Sequence, residues 1–126
     1  MMDNPNSLSK GLAAEKQACR YLCAQGLDFI SANYRCFLGE IDLIMQDQDE
    51  LVFVEVRMRN NLKFGDASET VDRQKRAKLI KTALHYLQSR GLNDKVNCRF
   101  DVIGICYVGT SAKIEWITDA FAADYF

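Results

Sequence analysis

Apolar residues recur at helical spacing in two segments of the chain, and this pattern predicts two amphipathic helices. The first begins at Ser7, a residue type that caps helices, and ends near Gln25, where Gly26 follows. The second spans about residues 70–90, with Thr70 as its predicted N-cap. Each helix is expected to pack its apolar side against a core and to expose the opposite side.

Segments rich in β-branched, aliphatic and aromatic residues predict strands between and after these helices. The predicted strands span residues 29–34, 39–45, 51–57, 100–108 and 113–117. The polar run at 46–50 contains a turn, and residues 60–68 are interpreted as a loop. This order of elements indicates an α/β fold in which helices cover a mixed β-sheet.

The chain has 126 residues, the size of one domain, and a single domain over residues 1–126 is expected. Its 48% hydrophobic and 26% charged residues are typical of a globular protein. The polar start and the lack of a long apolar run predict neither a signal peptide nor a membrane span, so the cytoplasm is the expected location. A net charge of −1 does not indicate a nucleic-acid binder, so any such site must arise from local clustering.

Five cysteines in a chain with no predicted signal sequence favour reduced thiols over a disulfide framework. Cys19 and Cys23 are four residues apart on the first predicted helix and could share a face. Structural zinc requires further ligands, however, and the sequence offers a single histidine, His85, and no second close cysteine pair. The cysteines are therefore interpreted as buried small residues, and His85 as a packed or partly exposed helix residue.

The stretch 39–57 predicts a β-hairpin whose register follows from its turn. With a two-residue turn at 48–49, the numbers of opposite residues add up to 97. Two facing polar pairs result from this register: Asp42 with Glu55, and Glu40 with Arg57.

Because side chains alternate along a strand, the register also predicts the two faces of the hairpin. One face is wholly apolar and is expected to be core; it carries Ile41, Leu43, Met45, Val52, Val54 and Val56. The other face is mostly apolar near the turn, with Ile44, Gln46, Leu51 and Phe53, and charged at its far end. The charged end is the candidate functional site.

Two like charges directly opposite each other destabilise a sheet, so a cation is expected beside Asp42 and Glu55. Either Arg57 or a bound Mg²⁺ or Mn²⁺ ion would supply it, since Mg²⁺ is typically held by one or two carboxylates. Such an ion activates water and stabilises charge on a phosphodiester. Patterning alone leaves an alternative open, in which the acids face solvent and Glu40 pairs with Arg57 on the surface. A β-bulge would shift the register and break the pairing.

The central motif of the chain is Gly39-Glu40-Ile41-Asp42-Leu43-Ile44 followed by Phe53-Val54-Glu55-Val56-Arg57. Further motifs occur in order at Gly11 to Ala18 with Glu15, Asn33-Tyr34-Arg35, Phe64-Gly65, Lys75, Arg99-Phe100-Asp101-Val102 and Ala120-Phe121. Together they resemble the YraN family, small bacterial proteins of the restriction-endonuclease-like superfamily near archaeal Holliday junction resolvases. The resemblance covers most of the chain and implies a restriction-endonuclease-like α/β fold, with a central mixed β-sheet flanked by helices.

The resemblance also implies a metal-dependent nuclease site, built from an aspartate and, on the adjacent strand, an acid and a lysine separated by one residue. Asp42 and Glu55 match the two acid positions, where they would ligate Mg²⁺ or Mn²⁺. Glu15 resembles the additional helix glutamate of the resolvase-like branch, and Glu40 is a fourth candidate. Arg57 departs from the pattern, because arginine stays charged and cannot act as a base, although it can donate hydrogen bonds to a phosphate.

Basic residues crowd the first half of the second predicted helix. Residues 71–90 contain six basic side chains and one acidic side chain, a net charge of +5 in a chain of net charge −1. This asymmetry predicts a surface for a phosphate backbone; the alternative is a solvated helix face. The candidate nucleic-acid-binding residues are Arg35, Arg59, Arg73, Lys75, Arg76 and Lys78, with Lys81 on the same helix and Arg99 as a further extension.

These features predict a resolvase-like DNA nuclease, or a relative of reduced activity, whose site contains Glu15, Asp42, Glu55 and Arg57. DNA is the expected partner, with branched DNA and a homodimer inferred from analogy alone. The alternative is a nucleic-acid-binding or partner-binding module without catalysis, which the arginine at position 57 favours.

Overall fold

The computed structural model describes residues 5–60, 67, 70–93 and 95–122, with side chains described from residue 11 onward. The elements are α1 (Pro5–Ala24), β1 (Asp28–Cys36), β2 (Gly39–Asp47), β3 (Glu50–Arg59), α2 (Arg73–Ser89), β4 (Asn97–Val108) and β5 (Ser111–Phe121). Most of the predicted loop at 60–68 lies outside the described residues.

Five strands form a single mixed sheet in the order β1-β2-β3-β4-β5. Neighbouring strands are antiparallel except β3 and β4, which are parallel and are connected through α2. The two helices pack on opposite faces of this sheet. This architecture confirms the predicted α/β class and corresponds to the restriction-endonuclease-like fold.

Each face of the sheet has its own hydrophobic core. On the α1 side, Ala14, Ala18 and Leu22 pack against strand residues such as Val52 and Val54. The two alanines allow the helix backbone to approach the sheet closely. The predicted register thus assigns these valines to the core correctly.

Aromatic rings dominate the core on the α2 side. Phe53 and Phe100 stack with their ring centroids 5.4 Å apart, and Tyr86 of α2 meets Phe53 edge-on at 6.0 Å. Stacked and edge-to-face aromatic pairs of this kind stabilise a core beyond the area that they bury. They fix α2 over β3, the strand that carries Glu55.

The predicted hairpin is formed by β2 and β3. The observed pairs run from Leu43 opposite Val54 to Asp47 opposite Glu50, and the residue numbers in each pair add up to 97, as predicted. In the turn, Gln48 has a φ of 55°, the left-handed backbone that a tight hairpin connection requires. The hairpin prediction is therefore confirmed over this stretch.

Side-chain alternation is interrupted next to Asp42. Ile41 was predicted to share a face with Leu43, but it packs on the α2 side while Leu43 packs on the α1 side. On the neighbouring strand Asn33 has a φ of 56°, and the Val56 N–H donates a 2.8 Å hydrogen bond to the Asp42 carboxylate. The strands depart from regular pleating here, so the prediction for Ile41 is wrong.

The second helix begins later than predicted. Asp72, not Thr70, is the N-cap: its carboxylate accepts a 2.9 Å hydrogen bond from the Lys75 N–H. The Thr70 hydroxyl instead donates to the Ala67 carbonyl, in the segment that precedes the helix. A carboxylate at the N-cap also suits the positive end of the helix dipole.

No helix within the described part of the chain is both long and apolar enough to cross a membrane. Among the described residues the five cysteines are free. Only Cys106 is buried and Cys23 is exposed, so the interpretation of the whole set as buried residues is wrong.

Candidate active site

The site centres on two acids that lie on adjacent strands. Asp42 of β2 and Glu55 of β3 are both buried, with 8% and 5% of their surfaces exposed. Regular pairing between the two strands ends at Leu43 and Val54, one residue before the acids. Beyond that point the Asp42 carboxylate reaches over to β3, where it accepts the Val56 N–H and interacts with Glu55. The structure therefore brings the two predicted acids together.

Glu55 sits in an environment that disfavours its negative charge. Burial raises its pKa most, and the hydrogen bond with Asp42 and the charge of Asp42 raise it further, to about 8. Lys75 and Arg57 oppose this shift only in part. Among the described residues, the buried Oε2 atom of Glu55 has no hydrogen-bond partner. Lys75 lies at ion-pair distance from this oxygen without forming a hydrogen bond to it, so the oxygen is only partly compensated.

Lys75 belongs to this site as well as to the basic helix. Its Nζ atom lies 3.3 Å from Glu55 Oε2, within ion-pair distance. The Asp72 cap fixes the position of Lys75, because its backbone N–H is the donor in the cap. Sequence reasoning assigned Lys75 only to nucleic-acid binding and missed its contact with the acid pair. The one available signal was its isolated match to the family pattern.

Arg57 follows Glu55 by two residues and lies on the same face of β3. Its Nη2 atom donates a 2.7 Å hydrogen bond to the Thr70 carbonyl, which anchors the guanidinium to the segment before α2. Its Nε atom is buried and has no hydrogen-bond partner among the described residues. The side chain therefore keeps donor capacity next to the acid pair.

Glu15 lies on α1, on the opposite side of the sheet from α2, and does not form a three-acid group with Asp42 and Glu55 among the described residues. It is half-buried in α1 and lines a cavity of about 250 Å³ together with Asn33 and Leu43. Burial and the charge of Asp42 raise the pKa of Glu15, while a hydrogen bond with Asn33 lowers it. The structure thus places Glu15 within electrostatic reach of Asp42.

Glu40 does not pair with Arg57 as predicted. It forms an ion pair with Arg35, its partner in the register between β1 and β2, and both side chains are exposed. A pair of this kind contributes little to stability. The prediction is wrong because β1, on the other side of β2, offers Glu40 a nearer cation.

The basic residues of α2 divide into two groups. Arg76 is used within the fold: its Nε donates a 2.7 Å hydrogen bond to the Val71 carbonyl, and its guanidinium lies 5.3 Å from the centre of the Phe121 ring. Arg73, Lys78 and Lys81 are exposed to solvent. Together with the partly exposed Lys75, these three provide the accessible positive charge of the helix.

The other two candidate cations outside α2, Arg59 and Arg99, are engaged within the protein. Arg59 is half-buried and interacts with other parts of the chain. Arg99 binds three carboxylates, with 2.9 Å contacts to both Asp47 and Glu50 and a 3.0 Å contact to Asp101. Burial alone would lower the pKa of Arg99, but these hydrogen bonds raise it above its ordinary value. The proposed extension of the basic surface to Arg99 is therefore wrong.

Fold and site together define a small α/β domain with a buried acid pair on the hairpin of a restriction-endonuclease-like sheet. Residues 14–105 match the model of the uncharacterised protein family UPF0102. The chain belongs to UPF0102, the YraN family, as its motifs predicted.

Similar proteins of this family occur in several bacteria. A UPF0102 protein of Coxiella burnetii is 52% identical over 115 residues, which cover 91% of this chain and 93% of that protein. A relative in Nitrosococcus oceani is 49% identical with the same coverage. One in Psychromonas ingrahamii is 52% identical over 91% of both chains. Their names describe the family and state no activity.

The raised pKa of Glu55 predicts that the metal-free protein loses stability as the pH rises. The folded state holds this proton more tightly than the unfolded state, whose pKa lies near 4.5. The contribution of Glu55 is thus fully present below a pH of about 4.5 and is lost as the pH rises through about 8. Glu55→Gln should remove this loss and raise the free energy of unfolding at pH 8 by about 1–3 kcal/mol. Urea unfolding in EDTA across this pH range measures the effect.

Two variants serve as comparisons in this experiment. Asp42→Asn removes the neighbouring charge and should flatten the same pH dependence. Asp49→Asn changes an exposed acid at the turn of the same hairpin and should leave the dependence as in the wild type. If Glu55→Gln follows the wild-type curve at every pH, Glu55 does not carry the raised pKa.

Proposed function

We propose that this protein is a metal-dependent, resolvase-like nuclease that hydrolyses phosphodiester bonds in DNA. The observation that carries the proposal is the state of Glu55, which is buried beside a second acid and has an oxygen with no hydrogen-bond partner among the described residues. Perturbed acids of this kind are characteristic of functional sites. The restriction-endonuclease-like fold, and the resemblance of the motifs to that superfamily, support the same class of reaction by analogy.

The acid pair suits a divalent cation. The described residues contain no group of three or more His, Cys, Asp or Glu side chains that could hold a metal ion. The candidate ligands are therefore the two acids Asp42 and Glu55 alone. One or two carboxylates are typical for Mg²⁺, with water and substrate phosphate as its remaining ligands. A divalent cation would relieve the repulsion between the acids and would bind the Oε2 atom of Glu55, which has the Lys75 ammonium at 3.3 Å but no hydrogen-bond partner among the described residues. When bound, Mg²⁺ or Mn²⁺ would activate water and stabilise negative charge on the phosphodiester.

Two cationic side chains flank the acids and would bind the phosphate. Arg57 is held by the Thr70 carbonyl and keeps a buried donor, Nε, without a partner among the described residues. Lys75 lies against Glu55 and is 39% exposed, so its ammonium group can reach both the acid and a ligand in solvent. Both would donate hydrogen bonds to phosphate oxygens and stabilise the charge that develops there.

Glu15 would act from the α1 side. Because its pKa is raised, Glu15 holds a proton more readily than an ordinary glutamate, and it would donate or accept that proton near Asp42. The remaining exposed cations of α2, Arg73, Lys78 and Lys81, would bind neighbouring phosphates of the strand. Arg35 pairs with Glu40 and would join them only by exchanging that partner for a phosphate.

A second candidate function is a nucleic-acid-binding module of low or no nuclease activity. The observation that favours it is Arg57, which stands where the superfamily pattern has a lysine and cannot act as a base. Lys75 weakens this argument, because it supplies an amine at the acid pair from a different element. The two functions differ in whether bound DNA is cleaved.

We predict cleavage that requires Mg²⁺ or Mn²⁺ in at least one of four DNA forms: duplex, single-stranded, flapped or four-way. Asp42→Asn and Glu55→Gln should each reduce the rate by roughly 10²–10³-fold, because each removes charge from the reacting centre. Asp49→Asn is the matched control and should cleave at the wild-type rate. Gel analysis of end-labelled DNA with purified protein measures these rates.

One outcome would contradict the proposal that the protein is a nuclease. If the wild type binds DNA but cleaves no form with either metal, the binding-module function replaces the nuclease. Equal rates for the wild type and Glu55→Gln would instead show that the cleavage arises elsewhere or from a contaminant.

Arg57→Lys separates the two candidate functions further. Both side chains carry one positive charge, so DNA affinity should change little, by less than about threefold, whereas lysine is able to release a proton. Cleavage with Mg²⁺ should therefore rise, and help from acid–base catalysis is worth ~10²–10⁴-fold in favourable cases. Rates and affinities are measured on the same DNA form. A rate that falls in Arg57→Lys would show that arginine acts through its fixed hydrogen-bond geometry.

A further inference from the structure

Phe37 lies at the turn between β1 and β2 and is 88% exposed. It is the most exposed large hydrophobic side chain among the described residues. Its ring meets the His85 ring edge-on, with centroids 5.8 Å apart and an interplanar angle of 85°. The ring is thus supported at one side, and most of its surface is open to solvent.

The turn that carries Phe37 is held firmly against α2. On one side of it, the Tyr34 hydroxyl lies 2.6 Å from Nδ1 of His85. On the other side, Gly39 packs so closely that a Cβ atom there would lie 2.8 Å from the Thr82 hydroxyl oxygen. An aromatic ring presented by a turn fixed at both ends loses little conformational entropy when it binds.

A row of lysines connects Phe37 with the acid pair. Lys75, Lys78 and Lys81 follow one another at three-residue spacing on α2, and His85 continues the row by one more turn. Lys75 contacts Glu55 at one end of this row, and His85 contacts Phe37 at the other. Lys78 and Lys81, between them, are exposed.

The length of this row suits a short piece of nucleic-acid strand. Lys75 and His85 are ten residues apart, which corresponds to roughly 15 Å along a helix axis. At the spacing of a duplex strand, about 3.4 Å per nucleotide, the row corresponds to roughly four nucleotides, and a more extended single strand would place fewer along it. Phosphates along the lysines would leave the base at the far end next to the Phe37 ring.

We propose that Phe37 stacks on an unpaired base while Lys78 and Lys81 bind the phosphates between that base and the acid pair. The inference rests on the proposed function and specifies its substrate: DNA with a single-stranded segment of several nucleotides beside the cleavage point. An open ring bordered by ammonium groups matches the two parts of a nucleotide, a π-face and a phosphate. A protein partner would be expected to bury a wider apolar surface around the ring.

Binding without cleavage tests this proposal. Fluorescence anisotropy in EDTA compares two labelled probes, a duplex with a six-nucleotide thymidine tail and the same duplex with an abasic tail. The two tails carry equal charge and differ only in their bases. Wild-type protein should bind the thymidine tail about 5- to 150-fold more tightly, the range of one stacked base. Phe37→Ala should bind both probes as weakly as the wild type binds the abasic one.

Two further variants control for the position and the chemistry of the ring. Phe29→Ala removes a different exposed phenylalanine, which lies in β1, and should keep the wild-type preference for the thymidine tail. Phe37→Trp should also keep it, and the fluorescence of the new indole should fall when the thymidine tail binds but not when the abasic tail binds. Thermal unfolding confirms that each variant is folded, as expected for exposed positions.

The lysine row has its own readout. The double variant with Lys78→Gln and Lys81→Gln should bind both probes more weakly, and by the same factor. The slope of log K against log salt should become less steep by about 0.7 for each lost single-strand phosphate contact. Lys95→Gln with Lys113→Gln removes the same charge from exposed positions outside α2 and should leave the slope unchanged.

The results also separate this inference from the proposed function. If both probes bind and Phe37→Ala keeps the wild-type preference, the stacking role is wrong while DNA binding stands. If neither probe binds at any salt concentration, the proposed DNA substrate is wrong and this inference fails with it. Since EDTA prevents metal-dependent cleavage, neither result depends on nuclease activity.

Discussion

The burial of Glu55 beside Asp42 is the interaction on which the candidate site depends. Two carboxyl groups share a buried position between β2 and β3, and the folded chain tolerates them because Glu55 holds a proton up to a pH of about 8. Lys75 and Arg57 stand close enough to reduce the repulsion but do not remove it. A divalent cation beside the two acids would reduce this repulsion further, which is why the proposed function places one there.

Asp101, a buried acid outside the candidate site, shows how the same fold treats a structural carboxylate. Asp101 is almost fully buried, yet it accepts hydrogen bonds from Arg99, from the Trp116 indole at 2.9 Å and from the Asp119 N–H at 2.9 Å. Fully satisfied buried networks of this kind stabilise one arrangement of a core. The Oε2 atom of Glu55 has the Lys75 ammonium at 3.3 Å but no hydrogen-bond partner among the described residues. The contrast supports a functional role for one acid and a structural role for the other.

Sequence reasoning could predict the fold class, most of the elements and the pairing of the hairpin, because a two-residue turn and strict alternation leave one register. The same register predicts that Asp42 and Glu55 meet. It could not predict that Ile41 packs on the opposite side from Leu43, because strict alternation does not foresee an irregularity in the strand next to Asp42. Nor could it predict that Lys75 contacts Glu55. This contact depends on how α2, whose N-cap is Asp72, packs on the sheet, and the sequence pattern does not specify that packing.

The most direct test of the central claim is to locate a divalent cation in the protein. Crystals soaked in Mn²⁺ and measured near the manganese absorption edge would show bound ions as anomalous difference peaks. The account predicts a peak in contact with the carboxylates of both Asp42 and Glu55, and its loss in Asp42→Asn crystals treated in the same way. Well-diffracting wild-type crystals with no peak at the acid pair at saturating Mn²⁺ would contradict the claim that these acids form a metal site.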